Sequence, residues 1–283
     1  MKTEYIPLAK KGLDIVNFAR CLQATDHAIL FYNDLKDCRQ LLFTFLKAGM
    51  DKGEAAIYIT GQETKQSQKA ADEFSVNVKR YELVSALKVV NYDQWYITNG
   101  KVDVANIMNL WRKAVNEAKE RDFKGVRVCS EMSFFLRHNL VDEMVEYEKA
   151  YDRRLEIPIT TICAYDLNML DSIGEKIFLD LLKAHSHIFF AEPDLGFNVI
   201  LEAVEDILEK VLGSLSKLVL FSSLRNLFGL EREDIPKRFM DFRAALEKTF
   251  GGTTAGLLEN MIFRELYLRL KKRSIYTALE VEE

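Results

Sequence analysis

Between residues 27 and 191 the sequence alternates two kinds of segment. Short runs rich in β-branched and aromatic residues are HAILFY (27–32), AAIYIT (55–60), LKVVNY (87–92), GVRVCSE (125–131), ITTICAY (159–165) and HIFFA (187–191). Longer stretches with helical spacing separate them. In the first, Asp34 stands at a capping position, and Leu35, Cys38, Leu41, Leu42, Phe45, Leu46 and Met50 recur every 3.6 residues until Gly53. In another, Asp103 precedes Val104, Ile107, Met108, Trp111, Val115 and Ala118 on the same spacing. Helices are also expected over 140–155 and 172–184, and the polar segment 62–86 is expected to be mostly helical. Strands joined through helices of a dozen or more residues point to parallel pairing, because a parallel pair needs a crossover of that length to bring the chain back to the same end of the sheet. The pattern predicts an α/β fold: a mostly parallel sheet with helices on both faces.

EPDLG (192–196) ends the alternation. Beyond it no strand pattern follows, and three or four helices are punctuated by Gly213, FGLEREDIP (228–236) and Gly251-Gly252. The expected division is an α/β domain over 1–192 and a small C-terminal all-α domain over 193–283, with a hinge near Pro193. The tail KKRSIYTALEVEE is expected to fray.

Composition narrows the function classes. Net charge is −4, so no general attraction to nucleic acid or anionic membrane is expected. No run approaches the roughly 18 apolar residues of a membrane span, and MKTEYIPLAKKG has no apolar core of signal-peptide type. Cys21, Cys38, Cys129 and Cys163 are far apart, without a Cys-x-x-Cys pair. A reduced, cytoplasmic protein is the simplest expectation. There is no His-Glu-x-x-His, no Cys/His zinc spacing and no Gly-x-Ser-x-Gly elbow, so no metal, cofactor or catalytic residue is expected. A phosphate-cradling loop needs glycines for converging amides, a lysine, and a hydroxyl for magnesium. After the first strand this chain has Asn33-Asp34-Leu35-Lys36-Asp37, whose carboxylates repel a triphosphate.

Ligands of parallel α/β sheets sit beyond the carboxyl ends of the strands. Those ends carry Tyr32, Thr60, Tyr92, Glu131, Tyr165 and Asp166, with Trp95 and Tyr96 close behind. An aromatic crevice with two carboxylates suits a small organic molecule able to stack or to pair as a cation. The plainer alternative is that tyrosines simply end strands and Asp166 starts a turn. Glu148 falls in the apolar stripe of Val141, Met144, Val145, Tyr151 and Leu155, and a buried carboxylate must be paired or protonated. Arg127 and Glu131 share one face of their strand. An Arg127–Glu148 or Arg127–Glu131 pair is therefore expected, with or without ligand contact. His27 and His185 precede or begin strands and read as structural histidines at the amino ends. Leu215–Leu227 reads as core or dimer contact.

The blocks DHAILFY, FLKAGMDKGEAAIYIT, WYITNGKVD, GVRVCSEMSFFLR, EYEKAYDRRL, TTICAYD and LLKAHSHIFF occur in the order and spacing of a known family. The chain resembles, over about residues 15–191, the MEDS domain (methanogen/methylotroph DcmR sensory domain). The resemblance implies a RecA/KaiC-like fold with its phosphate loop lost and a role in sensing small organic or hydrocarbon-derived compounds, with output to transcription or signalling. It marks His27, Glu131, Glu148, Tyr165, Asp166 and His185 as motif positions. Ser186 stands where the family pattern has proline. FGLEREDIPKRFMDFRAALEKTFG and LLENMIFRELYLRL resemble a small all-helical output domain behind archaeal sensor domains. That arrangement departs from the DcmR regulator, which joins its sensor to a DNA-binding helix-turn-helix.

The expectation is a non-catalytic cytoplasmic signal-transduction protein that binds an unidentified small molecule. Candidate ligand residues are Tyr32, Trp95, Glu131, Glu148, Tyr165 and Asp166, with His27, Arg127 and His185 as structural or motif positions. A protein partner or a second copy would engage residues 193–283, and neither membrane nor nucleic acid is expected as a partner. The alternatives are a DNA-binding transcriptional regulator using helices in 214–250 and a residual nucleotide-binding, ATPase-like protein.

Overall fold

The computed structural model describes residues 17, 19–20, 22–61, 81, 86–151 and 157–280. Most of the helical segment expected in 62–86, the amino terminus, Cys21, and the last residues of the helix expected over 140–155 lie outside them.

The first strand, β1 (His27–Tyr32), turns through two residues into helix α1 (Leu35–Asp51), which returns to β2 (Ala55–Thr60). After β3 (Leu87–Asn91) come a short helix α2 (Tyr92–Tyr96) and a small antiparallel hairpin, β4 (Ile97–Thr98) and β5 (Lys101–Val102). The hairpin turn is Asn99-Gly100 with φ of 51° and 76°, the positive pair that a two-residue turn requires. Helix α3 (Val104–Glu120), strand β6 (Val126–Glu131), helices α4 (Ser133–Arg137) and α5 (Val141–Tyr151), and strand β7 (Ile159–Asp166) follow. A 3-10 segment (Leu167–Ser172), helix α6 (Gly174–Ala184) and strand β8 (His187–Phe190) complete the α/β part.

Six strands form one sheet in the order β3-β2-β6-β7-β1-β8, with every neighbouring pair parallel. Alternation along the strands sorts the core into two layers. Ala28, Leu30 and Tyr32 pack with Cys38, Leu42, Phe45 and Leu46 of α1 on one face. Ile29 and Phe31 face the layer under α3, α5 and α6, with Trp111, Met144, Tyr147 and Phe178.

Local capping explains where the elements differ from expectation. LKVVNY stops being strand at Asn91, whose side chain accepts from Asp93 N at 3.0 Å and starts α2. The helix expected over 172–184 begins later, because Asp166 caps the 3-10 segment and Gly174, at φ 66°, turns the chain into α6.

The C-terminal region is helical: α7 (Pro193–Leu212), α8 (Ser214–Phe228), α9 (Phe239–Phe250) and α10 (Gly252–Glu280). Gly213, Gly229 and Gly251 separate them at positive φ. The expected hinge near Pro193 is a strand-to-helix corner without a linker. Proline occupies the first turn of α7, and a Cβ on Gly196 would come within 2.4 Å of the Phe190 side chain. Helix α10 lies along α7 and α6, with the Phe178 and Tyr267 rings 5.4 Å apart. Val199, Ala203 and Val204 of α7 and Leu258, Ile262 and Leu266 of α10 belong to the same apolar cluster as one face of the sheet. Helix α10 also continues to Glu280, through most of the tail expected to fray.

Candidate functional site

The carboxyl ends of β1, β6 and β7 open on a crevice of about 340 Å³. Its floor begins at the β1–α1 turn. There the Asp34 side chain accepts from the backbone amides of Lys36 at 2.6 Å and Asp37 at 3.3 Å, so the first amides of α1 are capped from within the chain. Asn33 beside it donates to Glu192 Oε1 at 2.9 Å, and Asn168 donates to the Asn33 carbonyl at 3.4 Å. Tyr92 and Phe134 stack across one wall with centroids 3.7 Å apart. Gly61 leaves room for that ring, since a Cβ there would lie 2.7 Å from it. Arg137 lines the crevice, exposed and without a carboxylate partner among the described residues.

Glu131 reaches this crevice from the end of β6 but is buried and fully engaged. Arg39 donates from Nε and Nη2 to its Oε1, each at 3.2 Å. Tyr58 donates to the same oxygen, and Thr60 donates to Oε2 at 2.8 Å. Burial, reinforced by the Glu131 charge, pushes the Tyr58 phenol well above its ordinary value and keeps it a donor. Tyr32 meets Ser133 Oγ at 3.3 Å, and Ser133 Oγ accepts from the Asp166 amide at 2.9 Å.

A second cluster occupies the opposite face of the sheet. Glu148, from α5, is 1% exposed among His27, Cys163 and His185, all buried. Its Oε2 lies 3.2 Å from His27 Nε2 and 3.4 Å from His185 Nε2. Cys163 Sγ is 3.4 Å from His27 Nε2. Tyr165 donates to the other oxygen, Oε1. Each histidine anchors Nδ1 on a backbone carbonyl, His27 on Ala184 O at 3.0 Å and His185 on Leu181 O at 2.6 Å. A carbonyl only accepts, so both Nδ1 atoms carry the proton. Burial, with His27 acting in the same sense and Glu148 against it, pushes His185 down to about 3. Its imidazole is therefore neutral near pH 7, with the Nε2 lone pair facing the carboxylate. Burial, then the Glu148 charge, pushes the Cys163 thiol well up. Two imidazoles, a carboxylate and a thiol are groups able to hold a metal ion.

The structure thus divides the candidate residues. Tyr32, Glu131 and Asp166 meet at the crevice, whereas Glu148 and Tyr165 join His27 and His185 beneath the other face. Trp95 belongs to neither group: it packs on Trp111 at 4.5 Å with the Lys88 ammonium over its ring. Neither expected Arg127 pair forms. Arg127 bonds Glu54 through Nε, donates to Phe45 O at 3.2 Å and Arg20 O at 3.3 Å, and lies over the Phe45 ring. Four residues of strand put about 13 Å between Arg127 and Glu131, while Glu148 stands on the opposite face. Sequence reasoning missed Arg39, Tyr58 and Glu54, and it gave Cys163 no part in a site. Tyr58 was within reach, since it shares its strand face with Thr60.

Fold and site together define an α/β protein with a six-stranded parallel sheet and a C-terminal helical region, its first strand–helix turn closed by a side-chain carboxylate. Residues 26–186, more than half of the chain, match the family model of MEDS, the methanogen/methylotroph, DcmR sensory domain, and the chain belongs to that family of sensory domains. Among solved structures it is similar to a KaiC-like protein from the hyperthermophilic archaeon Pyrococcus horikoshii. That similarity has 14% identity and a TM-score of 0.37, and covers 50% of this chain and 62% of the other. No curated protein matches the chain.

Proposed function

We propose that this chain is a non-catalytic sensor that binds a small organic ligand in the strand-end crevice and relays binding to helices α7 to α10. The observation that carries this reading is the β1–α1 turn. Asp34 occupies the amides that a phosphate would need, and the volume above it is lined by the Tyr92–Phe134 stack and the guanidinium of Arg137, which has no carboxylate partner among the described residues. A cavity of about 340 Å³ matches a small organic molecule. Such a ligand would lay a flat or apolar body on the aromatic wall and direct an acceptor at Arg137. Membership of a sensory family supports the role.

The relay runs through Asn33, which borders the crevice and holds Glu192, the residue that starts α7. A ligand that engages Asn33 competes with that bond and shifts the corner into the helical region. Transmission requires that the ligand bind the two arrangements with different affinity. Among the described residues no helix is long and apolar enough to cross a membrane.

Calorimetry against a panel of small carboxylates, amines and apolar compounds tests the reading, with ATP and magnesium included. A panel member should bind saturably, and both Arg137→Ala and Tyr92→Ala should weaken it at least tenfold. Saturable heat with ATP and magnesium, or ligand affinity unmoved by both substitutions, overturns it.

A further inference from the structure

We infer that His27, Glu148, Cys163 and His185 form a buried site for one divalent transition-metal ion of zinc or ferrous type, separate from the crevice. The spacing of the four groups supports it first. Ligand atoms about 2.0–2.3 Å from a tetrahedral ion lie roughly 3.3–3.8 Å from one another. Here the three close contacts are 3.2, 3.4 and 3.4 Å, and all four donor atoms lie within 4.8 Å of each other. Four side chains from three helix or strand segments and one loop converge on that spacing.

The hydrogen bonds around the cluster supply a second, independent observation. Metal-bound histidines donate their other ring N–H to a carbonyl or carboxylate, which fixes the tautomer and aims the free lone pair. His27 and His185 both do so, at Ala184 O and Leu181 O. Tyr165 holds Glu148 by Oε1 and leaves Oε2 to face the two imidazoles. That oxygen and His185 Nε2 are buried atoms with no hydrogen-bond partner, two acceptors face to face. A cation between them resolves the conflict. Carboxylate and thiolate together carry two negative charges, so a divalent ion leaves the interior neutral. Binding converts the Cys163 thiol to a metal-bound thiolate and releases its proton to solvent. Imidazole, carboxylate and one soft sulfur point to zinc or ferrous iron rather than to calcium or magnesium.

The rival arrangement is metal-free, with the same four side chains sharing protons among themselves. Metal analysis separates the two. The full chain, purified under reducing conditions without chelator, should carry one metal ion per molecule by plasma mass spectrometry. Refolded with cobalt(II), it should show a thiolate-to-cobalt charge-transfer band and intense tetrahedral visible bands. Cys163→Ser should remove the charge-transfer band, and Cys129→Ser, on the other face of the sheet, should keep it. A wild-type chain that is folded by circular dichroism, free of metal, and takes up no cobalt on refolding overturns the inference without any variant. A charge-transfer band that survives Cys163→Ser overturns it equally. Ligand binding at the crevice is measured separately, so failure of one reading is distinguishable from failure of the other.

Discussion

Glu131 offers the most direct test of how the crevice is built. Its carboxylate is 5% exposed and takes four donors, from Arg39 twice, Tyr58 and Thr60. Glu131→Gln preserves shape and most of the bond count. The amide oxygen can still accept from Arg39 and Tyr58, and the Thr60 hydroxyl can turn to accept from the new NH2. The change therefore removes charge and little else. Removing one partner of a buried pair costs about 3–5 kcal/mol. Arg39 keeps 11% of its side chain in contact with solvent, which recovers part of that. The expected loss is about 2–3 kcal/mol. In a chain of 283 residues that lowers Tm by about 3–5 °C. Glu131→Ala, which leaves Arg39 and Tyr58 with no acceptor, should cost more, about 4–5 kcal/mol.

A double-mutant cycle with Arg39→Gln isolates the pair. Urea unfolding followed by circular dichroism and tryptophan fluorescence should give a coupling energy of about 1.5–2 kcal/mol. Additivity within about 0.5 kcal/mol would refute the reasoning, because it would mean that the guanidinium is hydrated and the carboxylate is held by the hydroxyls alone.

Arg127→Met should destabilise by about 3–4 kcal/mol in chemical denaturation, since it removes the Glu54 pair and two carbonyl contacts, while leaving crevice affinity unchanged. Gly49→Ala should destabilise by about 1–3 kcal/mol despite the better helix propensity of alanine, because its Cβ would sit 2.4 Å from Arg127 Cδ and 2.6 Å from Glu54 Oε2. The same substitution in an Arg127→Ala background should be neutral or stabilising, which denaturation midpoints will show. Asn33→Ala, at an exposed site, should change stability by less than about 0.5 kcal/mol. It should nonetheless uncouple ligand binding from the amide exchange of residues 193–212, read by hydrogen-exchange mass spectrometry.

The alternation of short, continuously apolar runs and 3.6-residue stripes made the parallel sheet legible, because burial on both faces forces that pattern on any such chain. Glycine placement did the same for the C-terminal helices, where Gly213, Gly229 and Gly251 adopt positive φ. Pairing was not legible. Which cation meets Glu131, or which carboxylate meets Arg127, depends on where α1 crosses the sheet, and Arg39 and Glu54 carry no local mark of it. The EPDLG joint misleads in the opposite direction. Its proline and glycine suggest a linker, yet proline is favoured in the first turn of a helix and Gly196 is required by the close approach of Phe190. The four-residue cluster under α5 and α6 was invisible as a unit. Its members are scattered from residue 27 to residue 185, and although Glu148 stood out as a buried carboxylate in need of a partner, no spacing joined it to His27, Cys163 and His185.

The parallel register explains why two such different sites share one sheet. Strand β1 starts with His27 in the cluster and ends with Tyr32 in the crevice, and its neighbour β7 passes from Cys163 and Tyr165 to Asp166 in the same direction. Groups that bind β1, β7, α5 and α6 together beneath one face hold the strand ends above at a set height. On the other side the Asn33 turn meets the start of α7 through one side-chain hydrogen bond, from Asn33 to Glu192, while the corner itself is packed, with Gly196 against the buried Phe190. On the proposed reading a ligand at the crevice acts on α7 through that bond, and the close-packed corner passes a displacement on as a unit, because a close-packed interior yields little to local strain.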